Sequence, residues 1–221
     1  MIICNTKKFI YVHIPKCGGT TVSTVLESNL LPQDITLNLN PHKGWQKYID
    51  VYQEKYGLHK HSTPGEIELA MKHEYFSQYF IFTFCRNPFA RAYSAYTFTL
   101  KSDAIYRPNS TRYNEIKNMN FDQFISSRYV QNKEILPTMP QSKWLFSGGK
   151  VIHFFKLENI NFELPRLVNK LWGEDMQSVP ITNYSSSQDE WKNMSKRSEN
   201  AIRELYADDF NNLGYSNAIE R

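Results

Sequence analysis

Apolar residues along this chain form three runs of strand length, separated by stretches with helical periodicity. The runs occupy 9–14, 79–85 and 151–155 and are rich in β-branched and aromatic residues. The first run is typical of a strand that is buried on both faces in a parallel sheet. Strands that alternate with helices predict an α/β fold with a central parallel sheet.

The stretches between the runs carry the helix signals. Apolar spacing, or a proline near a first turn, predicts helices from Thr20 onward, near 45–52, from Pro64, from Pro88, over 161–172 and over about 189–211. Two polar segments lack periodicity. We expect 102–120 to be a surface excursion that could border a substrate cleft, and 177–188 to be a loop.

The turn after the first strand has the residues of a phosphate-binding loop. Lys16 and Cys17 are followed by Gly18 and Gly19, and then by two hydroxyl residues, Thr20 and Thr21, that open a helix. Glycines allow close backbone approach, and a helix N-terminus directs N–H groups at an anion. The pattern is not Walker A, because no Gly-Lys-Ser/Thr follows four free positions after a glycine. An ordinary strand-to-helix turn is the structural alternative.

A second anion site is predicted at the end of the second strand. Arg86 leaves that strand, and Ser94 follows about two helical turns into the next helix. The guanidinium group has a planar set of donors suited to phosphate oxygens, and Arg91 could add a third contact. In the alternative interpretation Arg86 caps a helix or pairs with a carboxylate, and Ser94 is a small packing residue.

Composition narrows the class of protein. With 221 residues and 41% hydrophobic content, one sizeable core can be buried, so we expect a single domain over 1–221. The net charge of +4 comes from dispersed basic residues, which excludes the charge density of a nucleic-acid-binding domain. No apolar run approaches a membrane span and no signal-peptide core is present, so we expect a cytoplasmic protein without a transmembrane segment.

Cysteine and histidine usage argues against disulfides and metal. The three cysteines, Cys4, Cys17 and Cys85, cannot form a disulfide framework. His59 and His61 form the only close histidine pair, and no cysteine lies near them, so no metal site is predicted.

Both candidate phosphate motifs resemble those of the sulfotransferase family, which uses 3′-phosphoadenosine 5′-phosphosulfate (PAPS). The segment 14–20, Ile-Pro-Lys-Cys-Gly-Gly-Thr, is similar to the family's 5′-phosphosulfate loop. The segment 86–96 resembles its 3′-phosphate motif, with Arg86 and Ser94 as the binding pair. The segments 155–159 and 205–215 are also similar to family segments. The resemblance implies a P-loop-like, three-layer α/β/α fold and PAPS as the sulfuryl donor, without a metal.

Within the family, the loop is most similar to the branch that contains the heparan 2-O-, chondroitin and HNK-1 carbohydrate sulfotransferases. That likeness implies a hydroxyl-bearing acceptor of the glycan or glycolipid class. The animal enzymes of this branch are Golgi proteins with a membrane anchor, and we expect no such anchor here. This chain therefore resembles a compact, bacterial-type member, for which the particular acceptors of the animal enzymes are not assumed.

The resemblance also implies roles in an in-line displacement. Lys16 would stabilise the bridging oxygen, and the main-chain N–H groups of 17–19 with the Thr20 and Thr21 hydroxyls would hold the 5′-phosphate. The His-x-His of 59–61 is similar to the catalytic region of the heparan 2-O branch, where the second histidine is the base, so His61 is the candidate base. Its imidazole titrates in a suitable range.

Alternatives remain both for the catalytic base and for the function of the whole chain. His61 could instead cap the next helix or be merely exposed, His59 is the next candidate base, and spacing supports neither Glu74 nor Glu158. For the whole chain, the alternatives are a divergent P-loop kinase and a non-catalytic nucleotide-binding protein of the same fold. A kinase would need a Walker A lysine followed by Ser or Thr, and a magnesium-binding aspartate.

Overall fold

The computed structural model of the chain describes residues 1–37, 46–147, 150–180 and 189–219. The chain divides into two compact units. The first comprises Met1–Cys85 with Lys143–Tyr184, and the second comprises Arg86–Ser142 with Ser185–Arg221. The expected organisation as one domain over 1–221 therefore remains a prediction.

Strands occur in the first unit and helices in both. The strands are β1 (Ile2–Cys4), β2 (Phe9–Val12), β3 (Ile35–Thr36), β4 (Phe80–Cys85), β5 (Phe146–Ser147), β6 (Lys150–Val151) and β7 (His153–Lys156). The α-helices are α1 (Gly19–Glu27), α2 (Gln46–Tyr56), α3 (Pro64–Met71), α4 (His73–Phe76), α5 (Pro88–Tyr106), α6 (Thr111–Ile116), α7 (Phe121–Ile125), α8 (Arg128–Gln131), α9 (Ile160–Trp172), α10 (Lys196–Leu205) and α11 (Ala207–Leu213).

The described strands form a mixed sheet whose centre is parallel, as the sequence predicts. The order is β3-β1-β2-β4-β7, in which β2, β4 and β7 run parallel and β1 is antiparallel to both its neighbours. The fold is therefore α/β. The predicted strand 151–155 is divided at Ile152, because β6 pairs with β5 in a separate hairpin and only β7 joins the main sheet.

The core of the first unit lies on the sheet. Side chains alternate between the two faces of a strand, and α1 and α9 cover one face. This buried cluster comprises Ile2, Cys4, Phe9, Tyr11, Val22, Val25, Leu26, Leu30, Phe82, Phe84, Leu164, Leu167 and Val168. Ile10, Val12 and Thr83 on the other face are also buried. The central strands are therefore covered on both sides, which explains their nearly continuous apolar sequence.

Several helix starts follow their sequence signals. Thr63 caps α3 in a capping box with Glu66, and the Asn87 side chain accepts the N–H groups of Phe89 and Ala90 at the start of α5. The predicted helices near 45–52 and 161–172 correspond to α2 and α9, although residue 45 is outside the described residues. Residues 177–180 form no helix or strand, and the remainder of the predicted loop, 181–188, is not among the described residues.

Most residues of 102–120 lie at the surface, as predicted, but the segment is partly helical, which its lack of periodicity did not predict. Helix α5 continues to Tyr106, and α6 follows after a short turn. The polar residues that obscured the helical periodicity form a helix cap and an ion pair. The Ser110 side chain accepts the Tyr113 N–H at the start of α6, and the buried Asp103 accepts two hydrogen bonds of 2.6 Å from Arg112.

The prediction of a single helix over about 189–211 is also wrong. The region consists of a 3₁₀ turn at Glu190–Asn193, then α10, then α11. Ser195 starts a new helix because its side chain accepts the Ser198 N–H. Apolar residues of these pieces, such as Ile202 and Phe210, pack with α5 and α7 in the core of the second unit. Apolar spacing alone did not reveal the breaks between the pieces.

The turn between β2 and α1 is shaped by two glycines. Gly18 has a φ of 71° and is the N-cap of α1, and Lys16 also has a positive φ, of 68°. Gly19 is required for a different reason. A Cβ there would lie 1.9 Å from His13 Nε2, and His13 is a buried residue directly after β2. The turn therefore packs against the end of its own strand.

We expect Gly19→Ala to lower the free energy of unfolding by about 1–3 kcal/mol, the usual cost of overpacking a core. The cause is overlap of the new Cβ with the His13 ring, which is buried and cannot turn into solvent. Urea denaturation of the purified protein measures this change.

The matched control is Gly65→Ala. A Cβ at Gly65, in the first turn of α3, meets nothing within 4 Å. This substitution should leave stability unchanged or raise it by up to about 1 kcal/mol through helix propensity. Equal effects at the two positions would contradict the packing described for Gly19.

Candidate active site

The turn after β2 presents main-chain donors at the carboxyl edge of the parallel strands. Gly18 caps α1 without a side-chain hydrogen bond, and the first N–H groups of a helix have no partner within it. Thr20 is exposed, and Lys16 and Thr21 are half-buried. Left-handed residues in such a turn curve successive N–H groups around an anion-sized concavity. The residues present therefore fit a phosphate group.

The segment after β7 confines this turn. A Cβ on Gly18 would lie 2.3 Å from Leu157 Cδ1, so the Leu157 side chain packs directly on Gly18. Leu157 belongs to a 3₁₀ turn, Leu157–Asn159, that continues from β7. This contact gives Leu157 a packing role at the turn.

Cys17 lies in the turn, but its side chain points inward. It is only 1% exposed, and its Sγ donates to the Pro15 carbonyl at 3.7 Å. A thiol in this position fills space within the turn. Cys17 is predicted to contact the nucleotide. In this arrangement its main chain fits such a contact, and its thiol does not.

The candidate base His61 lies against the end of β2. Its Nδ1 is 2.8 Å from the His13 carbonyl oxygen, and its ring meets the His13 ring edge-on with centroids 4.8 Å apart. A carbonyl oxygen only accepts, so Nδ1 carries the proton of the neutral ring. Nε2 then holds the lone pair that a general base requires.

The surroundings keep this ring neutral. The pKa of His61 is lowered to about 3, mainly because burial disfavours the charged imidazolium. The hydrogen bond to the His13 carbonyl acts in the opposite direction, and the nearby basic group of Lys60 lowers the pKa further. His61 is therefore unprotonated at neutral pH.

Two residues to which the sequence assigned no role in the site fix the His61 loop. Trp144 is fully buried, and its indole Nε1 donates to the His61 carbonyl at 2.8 Å. The hydroxyl of Ser62, also fully buried, accepts the His59 N–H at 2.9 Å. Trp144 lies 83 residues from His61 in the chain, so no local pattern could have revealed this pairing.

His59 occupies a different position in the same loop. Its side chain is exposed, and its Nδ1 accepts the main-chain N–H of His61 at 3.1 Å. In the neutral ring the proton then lies on Nε2. As placed here, His59 presents a donor to solvent, whereas His61 retains an acceptor.

In the second unit, the main chain of Arg86 is held by a buried glutamine. The Gln141 side chain accepts the Arg86 N–H and donates to the Arg86 carbonyl, both at 2.8 Å. The main-chain N–H of Gln141 donates to a carboxylate oxygen of Asp209 at 2.8 Å. Gln141 and Asp209 are fully buried, and sequence reasoning assigned a role to neither.

Ser94 and Arg91 are the other residues of this unit for which the sequence predicts a phosphate contact. Ser94 is half-buried on α5, and its joint grip on a phosphate with Arg86 remains a prediction. The suggested contact from Arg91 is wrong. Arg91 is 1% exposed, and its guanidinium donates to the Met139 carbonyl at 2.8 Å, so this side chain serves the interior of the unit.

Two further observations concern ligands and membranes. Over 1–37, 46–147, 150–180 and 189–219, no cluster of three or more His, Cys, Asp or Glu side chains could hold a metal ion. Within the same ranges no helix combines the length and apolar character needed to cross a membrane.

Comparison with known proteins identifies the family. A family model described as the sulfotransferase family matches residues 1–216. Searches among curated proteins and among solved structures found no match. The matched range contains the turn after β2, the His61 loop, Arg86 and the segment with Asp209. Since the match extends over nearly the whole sequence, this chain belongs to the sulfotransferase family.

Proposed function

We propose that this sulfotransferase moves the sulfuryl group of PAPS to a hydroxyl group of a carbohydrate acceptor, with His61 as the general base. The observation that carries the proposal is the hydrogen bond between the His61 ring and the main chain of His13. His13 lies three residues before Lys16, so one strand end supports both the base and the phosphate-binding turn. The carbohydrate acceptor, a glycan or glycolipid, rests on the resemblance of the loop to the carbohydrate branch.

The donor nucleotide is assigned by the chemistry of the two anion-binding groups. PAPS supplies an activated sulfuryl group on its 5′-phosphate and carries a separate 3′-phosphate. The main-chain N–H groups of 17–19, with Thr20 and Thr21, would hold the 5′-phosphate. Arg86 and Ser94 would hold the 3′-phosphate, for which the planar guanidinium is suited.

Lys16 is assigned to the charge that develops during transfer. It follows β2 directly in the turn, with a left-handed main chain that sets it apart from the helical N–H groups. An ammonium group can stabilise negative charge on the bridging oxygen of the departing 5′-phosphate. Arg86, in contrast, would bind a phosphate that does not change during the reaction.

The choice of His61 over His59 rests on which ring nitrogen is available. His61 has its proton on Nδ1 and its lone pair on Nε2, while His59 uses its Nδ1 lone pair within the loop. A pKa of about 3 makes His61 a weak base in the free protein. Bound phosphosulfate would raise this pKa, because a nearby negative charge favours the imidazolium. Donor binding would thus strengthen the base.

Adenosine 3′,5′-bisphosphate should stabilise the protein more than AMP does. A ligand that binds only the folded state stabilises it by about 2.7 kcal/mol at a concentration one hundred times its Kd. AMP lacks the 3′-phosphate and should bind more weakly. Thermal denaturation with each nucleotide measures the difference, which should persist in EDTA if no metal is needed.

The variant Arg86→Ala should reduce the bisphosphate effect to that of AMP. Arg107→Ala is the matched control, since Arg107 is an exposed arginine at the end of α5 that pairs with Asp103. It should keep the difference between the nucleotides. Equal stabilisation of the unmodified protein by both nucleotides would remove the 3′-phosphate site, and dependence on magnesium would favour a kinase.

His61→Ala should lower sulfuryl transfer by about 10²–10⁴-fold, the usual loss on removal of a general base. Transfer is measured as radiolabelled sulfur moved from PAPS to a panel of glycans. Calorimetric binding of the bisphosphate should stay nearly unchanged. The main-chain hydrogen bond from Trp144 remains possible in this variant, so the loop keeps one of its anchors.

The matched variant is His59→Ala, whose effect on turnover should be smaller. A His61→Ala enzyme with nearly full turnover would exclude His61 as the base, and a larger loss in His59→Ala would assign the base to His59. An unmodified protein that transfers label to no glycan but does so to another hydroxyl compound would correct only the acceptor class.

A further inference from the structure

We infer that Gln141 and Asp209 are positioning residues for Arg86 and thereby determine the selectivity for a nucleotide with a 3′-phosphate. The inference rests on the proposed function, because it assigns Arg86 to that phosphate. It concerns two residues to which the sequence motifs assign no role.

The Gln141 side chain binds the main chain of Arg86 as a neighbouring strand would. Its amide oxygen accepts the Arg86 N–H and its amide nitrogen donates to the Arg86 carbonyl, both at 2.8 Å. An antiparallel partner residue makes the same pair of bonds across a ladder. Arg86 lies between the last residue of β4 and Asn87, the cap of α5, so it belongs to neither element. The glutamine supplies the pairing that the sheet does not.

Asp209 fixes the glutamine in turn. One carboxylate oxygen accepts the Gln141 N–H at 2.8 Å, and the other accepts the Ser142 N–H at 2.7 Å. The Gln141 Nε2 is also 3.4 Å from the first of these oxygens. Asp209 lies in the first turn of α11, where the helix N-terminus favours a negative charge. A fully buried carboxylate is costly unless hydrogen-bonded in this way.

These hydrogen bonds fix the main-chain position from which the long Arg86 side chain extends. An arginine that binds a phosphate through two parallel hydrogen bonds requires accurate placement of its planar group. Displacement of a binding group by about 1 Å can cost as much as 10²-fold in function. The path from Asp209 through Gln141 to the Arg86 main chain consists of buried groups with short bonds, so it restricts such displacement.

The test measures the affinities of adenosine 3′,5′-bisphosphate and AMP by calorimetry, and no acceptor is needed. Gln141→Met keeps the length of the side chain but loses both bonds to Arg86. Asp209→Asn keeps the shape but can accept only through one atom. We expect bisphosphate binding to weaken by about tenfold in Gln141→Met and less in Asp209→Asn. AMP binding should stay within about twofold, because AMP lacks the phosphate assigned to Arg86.

Asp103→Asn is the matched control for the loss of a buried carboxylate in the same unit. Asp103 binds Arg112, so this variant should lose stability and keep the ratio of the two affinities. An unchanged ratio in folded Gln141→Met and Asp209→Asn would overturn the inference. Failure of both variants to fold would also overturn it, since the residues would then serve stability alone. If the unmodified protein does not distinguish the nucleotides, the proposed function itself fails.

Discussion

His13 is the residue on which the candidate site of the first unit depends. Its carbonyl oxygen accepts the His61 Nδ1–H, its ring packs edge-on against the His61 ring, and the same ring leaves no room for a Cβ at Gly19. The position of His13 is set by β2, which is buried between β1 and β4. A single buried strand end thus fixes both the turn that fits a phosphate and the imidazole assigned to the hydroxyl proton.

In the second unit the candidate anion-binding residue is held by a comparable arrangement. Arg86 is fixed through its main chain by Gln141, and Asp209 fixes Gln141. In both units a residue assigned to function is anchored by hydrogen bonds to main-chain atoms or to fully buried polar groups. Buried polar groups must be hydrogen-bonded to avoid a large desolvation cost, so such networks have few alternative arrangements. Accurate placement of reacting groups is the main requirement of group transfer.

Much of the central fold was predictable because its signals are local. Strands β2 and β4 are continuous apolar runs, and the helices that begin at Pro64 and Pro88 have a capping residue directly before the proline. Strands β1 and β3 contain three and two residues, which is too short for periodicity to reveal. The breaks between α10 and its neighbours depend on Ser195 and on tertiary packing, so apolar spacing merged them into one helix.

Those parts of the candidate site that lie in local sequence motifs were also predictable. The turn after β2, Arg86 and His61 stand in recognisable local motifs. Trp144 and Asp209 act through contacts across 83 and 68 residues of sequence, and Gln141 meets Arg86 across 55. No local pattern carries such information. Arg91 was misassigned because its sequence position cannot show that its side chain is buried.

The central claim is that the fold holds His61 as a neutral imidazole with its lone pair on Nε2. NMR spectroscopy of the imidazole nitrogens tests it directly, with His61→Gln used to assign the signals. We expect the His61 signals to show a proton on Nδ1 and none on Nε2, without titration between about pH 5 and pH 8. A His61 ring that titrates near the ordinary value of about 6.5, or that carries its proton on Nε2, would contradict the account.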